Sequence, residues 1–302
     1  MLPNLFYIIN FSISIFASCV NILFGLLMII VVIINRQCHT ITNLMMCNTA
    51  VATIIYSILQ LTSAGYGLQK DWFSNQPACQ FRAYFYTGVC IAVCGSYAVQ
   101  SISRLFFSVL YKHKYLLSWR VHSYLVIANY ILSTVGPIPL VFMRDGCGLE
   151  LESRLCMVTT KVFSASMWAV TIAYLIPLSI VTIIYGIIFS RVRQSRRRVG
   201  AAAFSMTSTV VRNLDVPNLK REMKLMKNIL ILVGILVCAG IPYLTLVIWH
   251  VTQAQPPPPE PFYLLAMIII SIFFAIKMIT LFIMNKDVKN IAVEYLRKLV
   301  RF

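Results

Sequence analysis

Seven stretches of this chain stay apolar for about the twenty residues that a helix needs to cross a bilayer. No other feature of the sequence restricts the fold as strongly. Inside lipid every backbone N–H and C=O must be satisfied within the protein, so runs of this length read as packed helices. The composition agrees, since 59% hydrophobic against 12% charged residues is too apolar for a soluble domain of 302 residues. The expected fold is all-α, one seven-transmembrane helix bundle over residues 1–302. The spans are expected over about 5–34, 41–64, 77–111, 118–142, 162–193, 220–251 and 262–284. Past the seventh, Val288, Ile291, Ala292, Tyr295, Leu299 and Phe302 recur at helical spacing among Lys289, Arg297, Lys298 and Arg301. That pattern predicts a C-terminal amphipathic surface helix over 286–301, in contact with membrane lipids.

The net charge of +17 would suit a nucleic-acid binder, but its distribution excludes one. About twenty of the 26 Lys and Arg residues fall at one set of helix ends, and only Lys70, Arg82, Arg144, Arg154 and Lys161 fall at the other. This bias puts the N-terminus outside and the C-terminus in the cytoplasm, with a share of the basic excess touching anionic lipid. Of nine cysteines, only Cys79, Cys147 and Cys156 then lie on the oxidising side. No cleavable signal peptide is evident, so the first apolar run is expected to be retained. Asn10-Phe11-Ser12 has the glycosylation pattern but falls in that run, and is expected to be unmodified.

Prolines mark several spans: Pro137 and Pro139 in the fourth, Pro177 in the fifth, Pro242 in the sixth. The outer loop from Met143 to Thr160 has a weak hairpin signal around Leu149–Leu151. Gln194–Leu219, with Arg196-Arg197-Arg198, reads as a basic inner loop, and Pro256–Pro259 as a stiff extended connection. The third span is the most informative. Cys79 opens it, an apolar body follows, and a lone arginine closes it in Ser103-Arg104-Leu105. A charge at the end of a membrane-length run is costly and usually functional.

These landmarks resemble those of the rhodopsin-like (class A) G-protein-coupled receptors over almost the whole chain. Asn21 stands for the single asparagine of the first helix. Thr40-Ile41-Thr42-Asn43, then Asn48-Thr49-Ala50-Val51-Ala52-Thr53, is similar to the inner start of the second. Trp72 matches the outer-loop tryptophan, and Arg104 follows Cys79 by the family's 25 residues. Pro177 and Tyr185, eight apart, match the fifth helix; Glu222 and Pro242, twenty apart, match the sixth. Asn285-Lys286-Asp287-Val288 resembles the junction into the surface helix. The chain also departs from the family. Asp-Arg-Tyr is Ser103-Arg104-Leu105, the second-helix aspartate is Thr53, and the toggle tryptophan of Cys-Trp-x-Pro is Gly240. Asn-Pro-x-x-Tyr is Lys277-Met278-Ile279-Thr280-Leu281.

The resemblance implies a plasma-membrane receptor that couples an extracellular ligand to a heterotrimeric G protein. It implies a disulfide from Cys79 to an outer-loop cysteine, with Cys156 favoured and Cys147 the alternative. It implies a resting latch between Arg104 and Glu222, an active-state role for Tyr185, and a bend at Pro242. With Thr53 in place of the acid and Val93 at the matching third-helix position, no sodium site is expected. Lys277 is expected to put its own charge there, near Thr53, Asn21 and Asn48; the plainer alternative is a side chain reaching toward inner water. Opsins hold retinal on a lysine that corresponds to Ser271, so no retinal and no other cofactor is expected. The ligand pocket is expected among Tyr86, Thr87, Cys90, Tyr243, Val247, Tyr263 and Met267, with Trp168 and Trp249 nearby. Tyr86 stands where amine receptors carry an acid, which points to a peptide or lipophilic ligand. Asp71, Asp145, Glu150, Glu152 and Glu260 are candidate rim acids for a basic peptide. The rival class is a transporter or channel, against which stand the lack of an internal repeat and the single mid-helix charge, Lys277. No paired carboxylates, metal-ligand set or nucleophile constellation suggests an enzyme.

Overall fold

The computed structural model describes residues 4–69, 76–205, 216–252 and 258–300, and at 76, 192, 195–205, 216–229, 251, 296 and 298–300 it describes the backbone alone. Lys70, Asp71, Trp72, Pro256 and Pro257 lie outside the described residues, as do the side chains of Arg196, Arg197, Arg198 and Glu222. In chain order the elements are α1 (Asn4–Ile34), α2 (Ile41–Leu68), α3 (Gln76–Ser108), α4 (Trp119–Val135) and α5 (Ile138–Phe142). Strands β1 (Cys147–Glu150) and β2 (Leu155–Val158) follow, then α6 (Phe163–Val170), a π turn at Thr171–Leu175 and α7 (Ile176–Ser205). Last come α8 (Val216–Val251), α9 (Glu260–Met284) and α10 (Lys286–Val300). Among the described residues seven spans are long and apolar enough to cross a membrane; α4 with α5 makes the fourth, and α6 with the start of α7 the fifth.

Several helix ends differ from expectation. The fourth span breaks at Gly136-Pro137, where α5 restarts with proline in its first turn, because proline cannot donate the next helical bond. α2 continues to Leu68, one turn past Ala64, and stops where Gln69 turns extended. α3 ends at Ser108 rather than 111. α7 runs on to Ser205 and α8 begins at Val216. Hydropathy marks where lipid ends, but arginine, glutamine and alanine keep a helix going in water.

The third span is the hub. It packs on α2, α4, α7 and both strands, and is the most deeply buried of the seven. Two glycines allow this. A side chain at Gly95 would collide with Asn129, whose amide donates to Ala92 O at 3.1 Å, and one at Gly88 would meet Ser133 O at 2.6 Å. Polar bridges fix the register elsewhere. Gln60 Nε2 donates to Ser14 Oγ at 2.9 Å across α1 and α2, and Thr49 Oγ1 donates to Ser96 Oγ at 2.9 Å across α2 and α3. At the far end Asn285 Nδ2 donates to Asn43 Oδ1 at 2.8 Å, while its Oδ1 accepts from Val288 N and caps α10. Asn10 is buried within α1 and donates to Phe6 O.

The hairpin appears, with Leu149 opposite Cys156, and Cys156 is bonded to Cys79 with Cα atoms 5.2 Å apart. Cys147 is a free, buried thiol. Closing a loop of 77 residues, this disulfide removes denatured-state entropy worth about 4.5 kcal/mol. Inside the hairpin Glu150 is buried, accepting from the backbone N–H and the hydroxyl of Thr160. Burial raises its carboxyl above the ordinary 4.5, against the Thr160 bonds, which lower it. The folded hairpin therefore binds this proton more tightly than the unfolded chain does. Its stability is greatest below 4.5 and falls as pH rises through the window up to the raised value. Hydrogen-exchange protection at residues 147–158, relative to the intrinsic rate at each pH, is expected to fall over that window in the wild type and to be flat for Glu150→Gln; an equal slope in both would refute the assignment.

Candidate functional site

Beneath the hairpin the bundle encloses a cavity of about 100 Å³. Its walls come from four directions, each by helical or strand period. Tyr86, Thr87, Cys90 and Cys94 lie on one face of α3. Leu236, Ala239, Gly240, Tyr243 and Leu244 present the i, i+3, i+4 stripe of α8. Met267, Ile270 and Phe274 do the same on α9, and Ala169, Val170, Ala173 and Tyr174 come from α6 and the π turn. Met157 and Val158 of β2 roof it, held there by the disulfide one residue away. The lining is almost wholly carbon and sulfur.

Of the residues expected in a pocket, Tyr86, Thr87, Cys90, Tyr243 and Met267 line this one; Val247 and Tyr263 do not. Val247 is fully buried one turn beyond Tyr243, and Tyr263 is turned to His250, 2.6 Å from its ring nitrogen. Trp168 bonds to Gly136 O at 3.0 Å instead, and Trp249 packs against Phe262. Sequence reasoning missed Cys94, Tyr174 and the β2 roof. Cys94 was available from spacing, one turn below Cys90; the roof depends on the disulfide.

Two aromatic side chains, Tyr174 and Tyr56, shape the floor. Gly240 leaves a space that the Tyr174 ring fills: a Cβ on Gly240 would collide with that ring, and the Tyr174 hydroxyl donates to Val237 O at 3.1 Å. The π turn, a form often found at functional positions, carries Tyr174. Below Tyr86, the buried Tyr56 hydroxyl lies 3.0 Å from that of Tyr86 and 3.2 Å from Ser271 Oγ, tying α2, α3 and α9 together.

Lys277 lies one turn beneath Phe274. It is fully buried, and Nζ donates to Thr53 Oγ1 at 3.2 Å. The ring centroids of Phe274 and Tyr97 are 4.4 and 5.0 Å from the nitrogen, a cation–π pair that offsets part of its desolvation. The side chain does not reach toward the α10 end. Asn21 faces the same level: two turns along α1 from Ser14, it stands opposite Thr53, two turns along α2 from Gln60, and the bond from Gln60 to Ser14 fixes that register. Both of its side-chain polar atoms are buried without a protein partner, as is the Tyr97 hydroxyl. At the α10 end, half-buried Arg104 on α3 and Tyr185 on α7 lie within electrostatic reach of each other.

The family description "7 transmembrane receptor (rhodopsin family)" matches residues 25–284. The chain belongs to the rhodopsin family of seven-transmembrane receptors. The receptor's fold is similar to the crystal structure of squid rhodopsin, with a TM-score of 0.80 at 15% identity over 99% of this chain and 88% of that one. No curated protein sequence matches it. It is thus a multi-pass membrane receptor of the class that signals through G proteins, a family that is generally not enzymatic. Tyr174 occupies the room beside Gly240, the residue expected at the toggle-tryptophan position, and Lys277 fills the floor of the bundle opposite Thr53. Ser271, expected to correspond to the opsin lysine, is held by Tyr56.

Proposed function

We propose that this is a plasma-membrane receptor, hairpin end outward, that takes a small lipophilic ligand into the cavity and passes the signal to a heterotrimeric G protein at the α10 end. The observation that carries this reading is the cavity's chemistry: apolar walls, a roof held by the disulfide, and no charged lining residue. Three of the described rim acids favour it over a basic peptide, because they are already engaged. Glu150 is buried, Glu152 pairs with Lys161 Nζ at 2.5 Å and Glu260 accepts from Tyr7, while Asp145 is exposed. A ligand moves such a bundle only if it binds one packing better than the other. Phe274 supplies the link, since its ring lines the cavity and also faces Lys277. At the far end Arg104 and Tyr185 form the switch, with Glu222 on α8 as the resting partner and Pro242 as the bend through which α8 swings. Lys277 replaces the family's bound ion with a fixed charge.

In proteoliposomes containing G protein, a member of a lipophilic library is expected to accelerate nucleotide exchange. Ala169→Trp, which fills the cavity from a buried wall position, is expected to abolish that response. Solute flux without nucleotide exchange would overturn the reading in favour of a transporter.

A further inference from the structure

The α3 wall of the ligand cavity carries a pair of thiols whose chemistry goes beyond apolar contact. Cys90 and Cys94 are free thiols one helical turn apart, and both line the same cavity. Residues at i and i+4 have Cβ atoms about 5–6 Å apart. Two metal–thiolate bonds of about 2.3 Å in a line span nearly that gap. Met267 adds a thioether to the same cavity from α9, its sulfur 4.0 Å from the Tyr86 hydroxyl. Directly behind the floor lies Lys277, 4.4 Å from the Phe274 ring and within electrostatic reach of Cys94. None of the chain's nine Asp and Glu residues falls in the middle of a span, so no carboxylate is placed to balance that ammonium.

We propose that Cys90 and Cys94 bind a soft monovalent metal ion, Cu(I), with the Met267 thioether as a third ligand and Lys277 as the counter-charge. Thiolate and thioether sulfur select soft ions. Zinc needs four ligands, and among the described residues no group of three or more His, Cys, Asp or Glu side chains gathers. Charge decides the rest. A divalent ion on two thiolates is neutral and leaves Lys277 unbalanced, whereas a monovalent ion gives a complex of charge −1 that cancels it. Binding breaks two S–H bonds, forms two Cu–thiolate bonds and one Cu–thioether bond in place of the copper's acetonitrile ligands, leaves the copper oxidation state unchanged and releases two protons to water. This site goes beyond the receptor reading and stands or falls separately from it.

The test is anaerobic titration of the full-length protein in nanodiscs with Cu(I), supplied as an acetonitrile complex and competed with a bathocuproine chelator. The wild type is expected to retain one more tight equivalent than Cys90→Ala and one more than Cys94→Ala. The copper X-ray absorption spectrum of that equivalent should show two or three sulfur neighbours and nothing lighter. Met267→Leu, close to isosteric and safe for the fold, is expected to weaken binding about tenfold, a change of about 1.4 kcal/mol. Equal retention by the wild type and both thiol variants, or nitrogen and oxygen neighbours in the spectrum, would overturn the proposal. Should the alanine variants fail to fold, unchanged affinity in Met267→Leu together with a non-sulfur spectrum does the same.

Discussion

Gly240→Ala is expected to destabilise the receptor by about 1–3 kcal/mol, the usual range for overpacking a filled core. The added methyl lands on the Tyr174 ring, which is held in place by its bond to Val237 O and by the π turn beneath it. The ring cannot retreat without losing that bond. In a Tyr174→Ala background the three closest contacts of that methyl are gone, so the two effects should not add. Thermal unfolding of the four proteins of the double-mutant cycle measures the coupling. Additive losses would show that Tyr174 does not fill the space beside Gly240. Gly240→Trp should be tolerated only when Tyr174 is also reduced to alanine, because the two aromatic side chains claim one volume.

Lys277→Met is expected to raise thermal stability and to lower ligand-stimulated nucleotide exchange about tenfold, equivalent to about 1.4 kcal/mol. A buried ammonium costs several kcal/mol in desolvation, and replacing buried charge by an apolar side chain of similar volume is often stabilising by about 1–4 kcal/mol. Here one hydrogen bond to Thr53 and two aromatic faces oppose that cost. Methionine keeps the length and removes the charge. The loss of response follows because Lys277 touches α2 through Thr53, α3 through Tyr97 and the cavity floor through Phe274. A variant that signals and expresses like the wild type would show that the charge has no role.

The apolar runs carried the number of spans, and the interval from Cys79 to Arg104 carried the identity of the third. Both are local properties of the chain. The placement of Lys277 against Thr53 was legible because both stand at positions where the family gathers polar groups. The exchange of Gly240 for Tyr174 was legible only in half. A glycine at the toggle position is visible in the sequence, but the residue that fills its space lies 66 positions earlier and depends on a π turn that no periodicity announces. Val247 and Tyr263 were expected in the pocket because they lie in the outer halves of their helices. Val247 stands one turn beyond Tyr243, but the cavity ends before it under the β2 roof, and such an ending depends on tertiary closure. The helix ends at Ser205 and Val216 lie beyond the apolar runs, where hydropathy has no signal.

The central claim is that the cavity and the Arg104 end are two ends of one bistable bundle. Spin labels at Phe107 on α3 and Lys224 on α8 report the gap between their α10-side ends. Pulsed dipolar distances are to be measured in nanodiscs with and without nucleotide-free G protein. A population shift to longer distances when the G protein binds, deepened by any ligand that accelerates exchange, is the predicted result, since coupling between two sites is reciprocal. An unchanged distance distribution in the presence of bound G protein would contradict it.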